Sequence, residues 1–248
     1  MIYQNNISHV IRKGDNLYQL SRYYHTTVPD ILALNPCLTS YNLIPGTSIT
    51  INPGQQFTMQ SYFNPSFYFN STEQITLIND MREVWIQHVY WTRMLLISIA
   101  DRLNDQQYVT ARLLENPADI ANIFERYYPV ETAGTVQQLL TEHLQIGASL
   151  ITALRDEELA KAADLNRQWY VNADQMAEAF SSMNPYYNRD EVRMMLYKHL
   201  ELTTDEVKNR LAGDYPADIE SFDKVEAEVL EMADYFSQGL IIQFPQLL

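Results

Sequence analysis

Apolar positions along the chain follow two different rhythms. Between residues 9 and 51 the apolar runs are short. His9-Val10-Ile11 and Ser48-Ile49-Thr50-Ile51 read as strands of period two, and they enclose two brief helical patterns, Leu17/Leu20/Ser21 and Ile31/Leu32/Leu34. From Ser71 onward the period is that of an α-helix. Ile78, Trp85, Val89, Leu96, Ile99 and Leu103 form one stripe, and Met81, Val84, His88, Trp91 and Leu95 form a second beside it, so this helix should be buried over much of its circumference. Further helical patterns run over 106–127, 132–155, 158–183, 189–201, 204–212 and 217–243, and period two does not return after residue 52. The expected fold class is therefore α+β for a small βααβ module at 8–52, followed by an all-α helical bundle at 73–248, with α predominant overall.

Turn chemistry sharpens the boundaries. Gly14 sits where a strand must turn into a helix, and Asp15 can cap that helix. Thr26 or Thr27 can cap the second helix, with Pro29 in its first turn, and Asn35-Pro36 ends it. Capping boxes are expected at Ser71/Gln74, Asn188/Glu191 and Thr203/Glu206, the last implying a break after Leu202. The joint, 53–72, carries Phe57, Tyr62, Phe63, Phe67, Tyr68 and Phe69, a composition unlike a flexible linker and suited to packing on the bundle or on a second copy.

The bundle repeats itself. His88, His143 and His199 are 55 and 56 residues apart, with Thr92, Gly147 and Thr203 four residues after each. Leu95 pairs with Leu150 and Asp101 with Asp156, and the segment from Arg112 to Phe124 is echoed from Arg167 to Phe180, with Pro129 and Pro185 beyond. The unit is a helical hairpin of about 56 residues, present two to three times with a degenerate third copy.

Composition narrows the function classes. The net charge is −14, yet residues 1–56 carry Arg12, Lys13 and Arg22 against Asp15 and Asp30, while the remainder holds 14 basic and 29 acidic side chains. An acidic body repels phosphate backbones, so nucleic acid is not an expected partner. No apolar run approaches the roughly 20 residues that span a bilayer. The first residues show neither a basic leader nor an apolar core, from which synthesis in the cytoplasm without a secretory signal is expected. Cys37 is the single cysteine, so an intramolecular disulfide is excluded.

The order strand, Lys13-Gly14-Asp15-Asn16-Leu17, two helices, Leu34-Asn35-Pro36, Ile44-Pro45-Gly46, strand resembles a LysM domain. That resemblance implies binding of N-acetylglucosamine polymers, peptidoglycan or a chitin-like chain, in a shallow groove. By motif position the groove would be lined by Gly14, Asp15, Asn16, Leu17 and Tyr18 on one side and by Leu34, Asn35, Pro36, Leu43, Ile44 and Pro45 on the other. Asn16 and Tyr18 depart from the residues the family favours there. The body, with its segments 85–93, 139–144 and 184–187, resembles an uncharacterised helical family of spore-forming Gram-positive bacteria.

Chemistry within the body is sparse. Equivalent histidines invite a metal or enzymatic reading of His88, His143 and His199, but no Glu-x-x-His ligand pair occurs, and Glu142 directly precedes His143 and so points elsewhere on a helix. Structural histidines bonded across hairpins are expected instead, with no metal, cofactor or catalytic residue. The expected function is non-catalytic attachment to the wall or spore envelope, with the bundle self-associating or binding envelope proteins. The alternative is a metal-binding or enzymatic bundle that the module targets to the wall.

Overall fold

A computed structural model describes residues 6–12, 15, 17–24, 26, 28–36, 38, 43–52 and 71–248. The chain divides into two compact units, residues 1–70 and 71–248. Residues 53–70 of the aromatic joint, Gly14, Asn16, His25, Thr27 and Cys37 lie outside the described residues.

In the first unit, β1 (Ile7–Val10), α1 (Leu17–Tyr23), α2 (Val28–Leu34) and β2 (Ser48–Ile51) follow in the expected order. The strands pair antiparallel, with Ile7 opposite Ile51 and Val10 opposite Ser48. Period two sends Ile49 and Ile51 inward, where they meet Ile11, Leu17, Leu20 and Ile31 in a small core. Of the apolar residues on α2, Ile31 is fully buried, whereas Leu32 and Leu34 are only half-buried. A seven-residue helix offers one inward turn, and Ile31 fills it.

The second unit is a bundle of seven helices: α3 (Thr72–Ala100), α4 (Gln106–Leu113), α5 (Asn116–Glu125), α6 (Val130–Arg155), α7 (Leu159–Met183), α8 (Arg189–Leu211) and α9 (Tyr215–Gln243). Ser71 and Asn188 cap α3 and α8 with side-chain oxygens that accept backbone N–H groups from Gln74 and from Asp190 and Glu191. The pattern over 106–127 is two helices rather than one. The chain turns at Leu114 and Glu115, and Pro117 stands in the first turn of α5, where its missing N–H costs nothing.

The break expected after Leu202 does not exist. Thr203 and Glu206 are interior, buried residues of a continuous α8, so they form no capping box. A polar pair at capping spacing is here a pair of core positions one turn apart. The third hairpin is consequently as complete as the others. The three are α3 with α4 and α5, α6 with α7, and α8 with α9, and the closing helix of each packs on the opening helix of the next: α5 on α6, α7 on α8, α9 on α3.

The backbone repeats with the same regularity. Arg102, Glu157 and Gly213, each 14 residues beyond its histidine, all have positive φ, at 52°, 59° and 74°. After each helix a pair of bonds closes the end: Leu103 N–H to Ser98 C=O, Glu158 N–H to Ala153 C=O and Asp214 N–H to Asn209 C=O, accompanied by Arg102 N–H to Ile99 C=O, Glu157 N–H to Leu154 C=O and Gly213 N–H to Arg210 C=O. This is the Schellman ending, which requires a left-handed residue just past the helix.

Candidate functional site

Around the module's predicted groove, the backbone and side chains are organised by three local devices. Asp15 is the first. Its Oδ2 accepts the Arg12 N–H at 2.7 Å and lies 2.8 Å from His9 Nε2, while His9 Nδ1 lies 2.8 Å from the Tyr24 hydroxyl. The Arg12 amide, and then the His9 ring, hold the Asp15 carboxyl below its ordinary range. These bonds run back toward β1; the helix-capping role expected of Asp15 concerns a turn whose Asn16 is outside the described residues.

Asn35 is the second. Its Nδ2 donates to Ile31 C=O at 2.7 Å and to Thr50 C=O at 2.6 Å, and its Oδ1 accepts the Thr50 N–H at 2.8 Å. Both donors of this amide are thereby committed to joining α2 to β2, as a strand partner would. A glycan could meet only the remaining lone pair of Oδ1 or the backbone. The third device is the turn Ile44-Pro45-Gly46-Thr47, with Gly46 at φ 93°, a conformation suited to glycine after proline. Thr47 N–H and its hydroxyl both bond Ile44 C=O, and Gly46 N–H bonds Ile11 C=O at 2.8 Å, fixing the turn to the end of β1.

Among the predicted groove residues, Ile44 is 61% exposed and Leu17 only 4%. Pro36 and Pro45 are exposed as well, and Leu34, Leu43, Asp15 and Asn35 are half-covered. Leu17 is therefore buried with the module's core rather than exposed. Gly14 and Asn16 are outside the described residues, and Tyr18 lies in α1 with its side chain likewise outside. Sequence reasoning missed the His9, Asp15 and Tyr24 chain, whose members are 6 and 15 residues apart and share no motif.

The bundle brings its three repeated histidines together. The rings of His88, His143 and His199 are all buried, with centroids 5.7 Å apart for His88 and His199 and 6.1 Å for each of the other two pairs. One ring nitrogen from each lies within 4.8 Å of those of the other two. Each Nδ1 faces an oxygen on the second half of its own hairpin: Asn116 Oδ1 at 3.0 Å, Asn172 Oδ1 at 3.3 Å and Glu228 Oε2 at 3.0 Å. Asn116 Nδ2 donates to Val84 C=O and Asn172 Nδ2 to Leu139 C=O, which fixes how each amide is turned and presents its oxygen to the ring. Nδ1 of His88 and His143 therefore carries the hydrogen, and in the neutral ring Nε2 is a bare acceptor. Burial holds His88 down to about 3 and drives His143 well below its ordinary range.

One turn beyond the histidines the copies diverge. Thr92 Oγ1 donates to His88 C=O, whereas Gly147 leaves room for the Trp169 indole N–H to reach His143 C=O at 3.0 Å. The Thr203 hydroxyl has no hydrogen-bond partner among the described residues. Seven residues beyond, Leu95 and Leu150 give way to Glu206, buried and bonded to Arg93, which also grips Asp218 through both terminal nitrogens at 3.0 and 3.1 Å. Burial pushes Glu206 up to about 7 against the pull of that guanidinium.

The first unit is thus a two-stranded sheet with two short helices and an exposed Ile-Pro-Gly turn tied to the end of β1. Residues 9–52 match the model of the LysM domain family. No curated protein and no solved structure matches the chain. A LysM domain supports binding of N-acetylglucosamine-containing polymers in general. Among the described residues, no helix is long and apolar enough to cross a membrane.

Proposed function

We propose that the chain attaches without catalysis to peptidoglycan, including that of the spore cortex, through residues 9–52, and that the bundle is an assembly or partner-binding unit of the envelope. The match of the module to the LysM family carries the reading. The exposed Ile44-Pro45 edge supports it, since apolar side chains can cover acetyl methyls while backbone amides meet the N-acetyl groups and hydroxyls. A single module of this size binds weakly, so firm attachment would come from several copies held together by the bundle.

Sedimentation of the intact chain with insoluble peptidoglycan and with chitin tests the reading. Ile44→Asp, at a position that contributes nothing to the core, is expected to release the chain from peptidoglycan while its helical signal is unchanged. Equal retention of the variant, or of a chain lacking residues 1–52, would move binding away from the module.

A further inference from the structure

We infer that the centre of the bundle, formed by His88, His143 and His199, is a binding site for one divalent transition metal ion of the zinc class. Three observations carry this independently of the glycan reading. Each opening helix of the three hairpins contributes one ring to the same point, and the ligand nitrogens already lie within 4.8 Å of one another. A tetrahedral zinc ion with Zn–N of about 2.0–2.1 Å needs nitrogens roughly 3.3 Å apart, a closure of about 1.5 Å at most, within reach of side-chain torsions.

The orientation of the rings is the second observation. Nδ1 of each is turned outward to an amide or carboxylate oxygen, and two of those amides are locked by backbone carbonyls. This is the arrangement by which metal-binding imidazoles are held: the outer N–H bond fixes the tautomer and leaves Nε2 as donor to the ion. Glu228 takes the place of asparagine in the third copy, so the outer shell adds a carboxylate opposite a dication.

The third observation is electrostatic. Nε2 of His88 and His143, left as bare acceptors by the outward Nδ1–H bonds, accept no hydrogen bond among the described contacts, and lone pairs crowded together disfavour one another. A cation shared with His199 would satisfy them. Hard ions are unsuited to an all-imidazole set, whereas zinc, cobalt, nickel and copper accept it. Three protein ligands leave a fourth position open, and the unpartnered Thr203 hydroxyl lies one helical turn beyond His199 on the same face. The absence of Glu-x-x-His in the sequence excludes only a di-iron ligand set and does not bear on this one.

The test uses the intact chain, unfolded with chelator and refolded with cobalt(II), since a buried site fills most readily as it forms. The expected result is one cobalt per chain with the intense visible absorption of a tetrahedral ion, displaced by zinc(II), and a higher unfolding midpoint with metal than without. His143→Asn keeps an amide donor near Nδ1 and removes Nε2; it should abolish the absorption. Asn172→Ala should weaken binding about 10- to 100-fold. Refolded wild-type chain without stoichiometric metal, or with only the weak spectrum of octahedral carboxylate-bound cobalt, would overturn the inference whether or not the variants fold. So would full tetrahedral binding by His143→Asn.

Discussion

Replacing Glu157 by glycine should stabilise the bundle. Glu157 has φ 59° just past α6, the place Gly213 occupies past α8. A left-handed conformation costs an L-residue with a side chain roughly 1–2 kcal/mol, and glycine returns part of that through its greater freedom in the unfolded chain, so a net gain of about 1 kcal/mol is expected. No ion pair of Glu157 stands against the gain among the described contacts. At the equivalent Arg102, glycine would also remove a 2.8 Å contact with Asp156, exposed and worth about 0–1 kcal/mol, so the gain there should be smaller. The reciprocal change, Gly213→Ala, should cost about 1–2 kcal/mol. Thermal unfolding of the intact chain followed by far-UV circular dichroism reads these as midpoint shifts of about 2–4 °C per kcal/mol. If Glu157→Gly lowers the midpoint while Gly213→Ala leaves it unchanged, the three helix ends are not equivalent in energy and the reasoning fails.

At Gly239 a Cβ would lie 2.0 Å from the Tyr187 ring, which is 2% exposed and cannot retreat, so Gly239→Ala should cost 1–3 kcal/mol or more in denaturant titration, partly recovered by Tyr187→Leu. Arg93→Met should cost about 3–5 kcal/mol by leaving the buried Glu206 without its guanidinium and Asp218 with only Arg210 at 3.7 Å, measured in the same way. Because burial raises Glu206 from 4.5 to about 7, the folded chain holds that proton more tightly than the unfolded one. The resulting stability is complete below about pH 4.5 and is lost as pH rises through 7, and Glu206→Gln should flatten this part of a stability profile measured from pH 4 to 8. Asn35→Ala removes two bonds to Thr50 of β2 and one to Ile31 of α2, and should destabilise the module by roughly 2–4 kcal/mol, seen as loss of amide protection at Thr50.

Periodicity and turn chemistry made much of this architecture legible in advance. Ser48–Ile51 was readable as a strand because one inward face alternates over four residues, and the long helices because their stripes persist over several turns. Thr203 and Glu206 were misread because a capping box is a local pattern, and the core that buries both residues is assembled from distant helices. The turn at Leu114 and Glu115 was missed for the opposite reason: it lacks glycine and keeps helix-compatible backbone angles. Spacing revealed the equivalence of the histidines but not their convergence. Asn116 and Asn172 could have been singled out as partners from the repeat; Glu228 could not, since glutamate there looks like any solvated charge until the packing of α9 on α8 encloses it. For the predicted groove, motif position named the segments, but only coordinates separate the buried Leu17 from the exposed Ile44.

The cyclic packing of the hairpins has a consequence for how such a bundle could vary. A stack of repeats can grow or shrink by one unit and needs special end units to cover its exposed faces. Here α9 returns to α3, and the Ser71 hydroxyl donates to the carbonyl of Leu248, so the ring has no exposed end. Adding or removing a hairpin would have to break the packing of α9 on α3 rather than extend a free face. Order along the chain, by contrast, is free, and a permuted bundle beginning at α6 and ending at α5 would keep every interhelical contact.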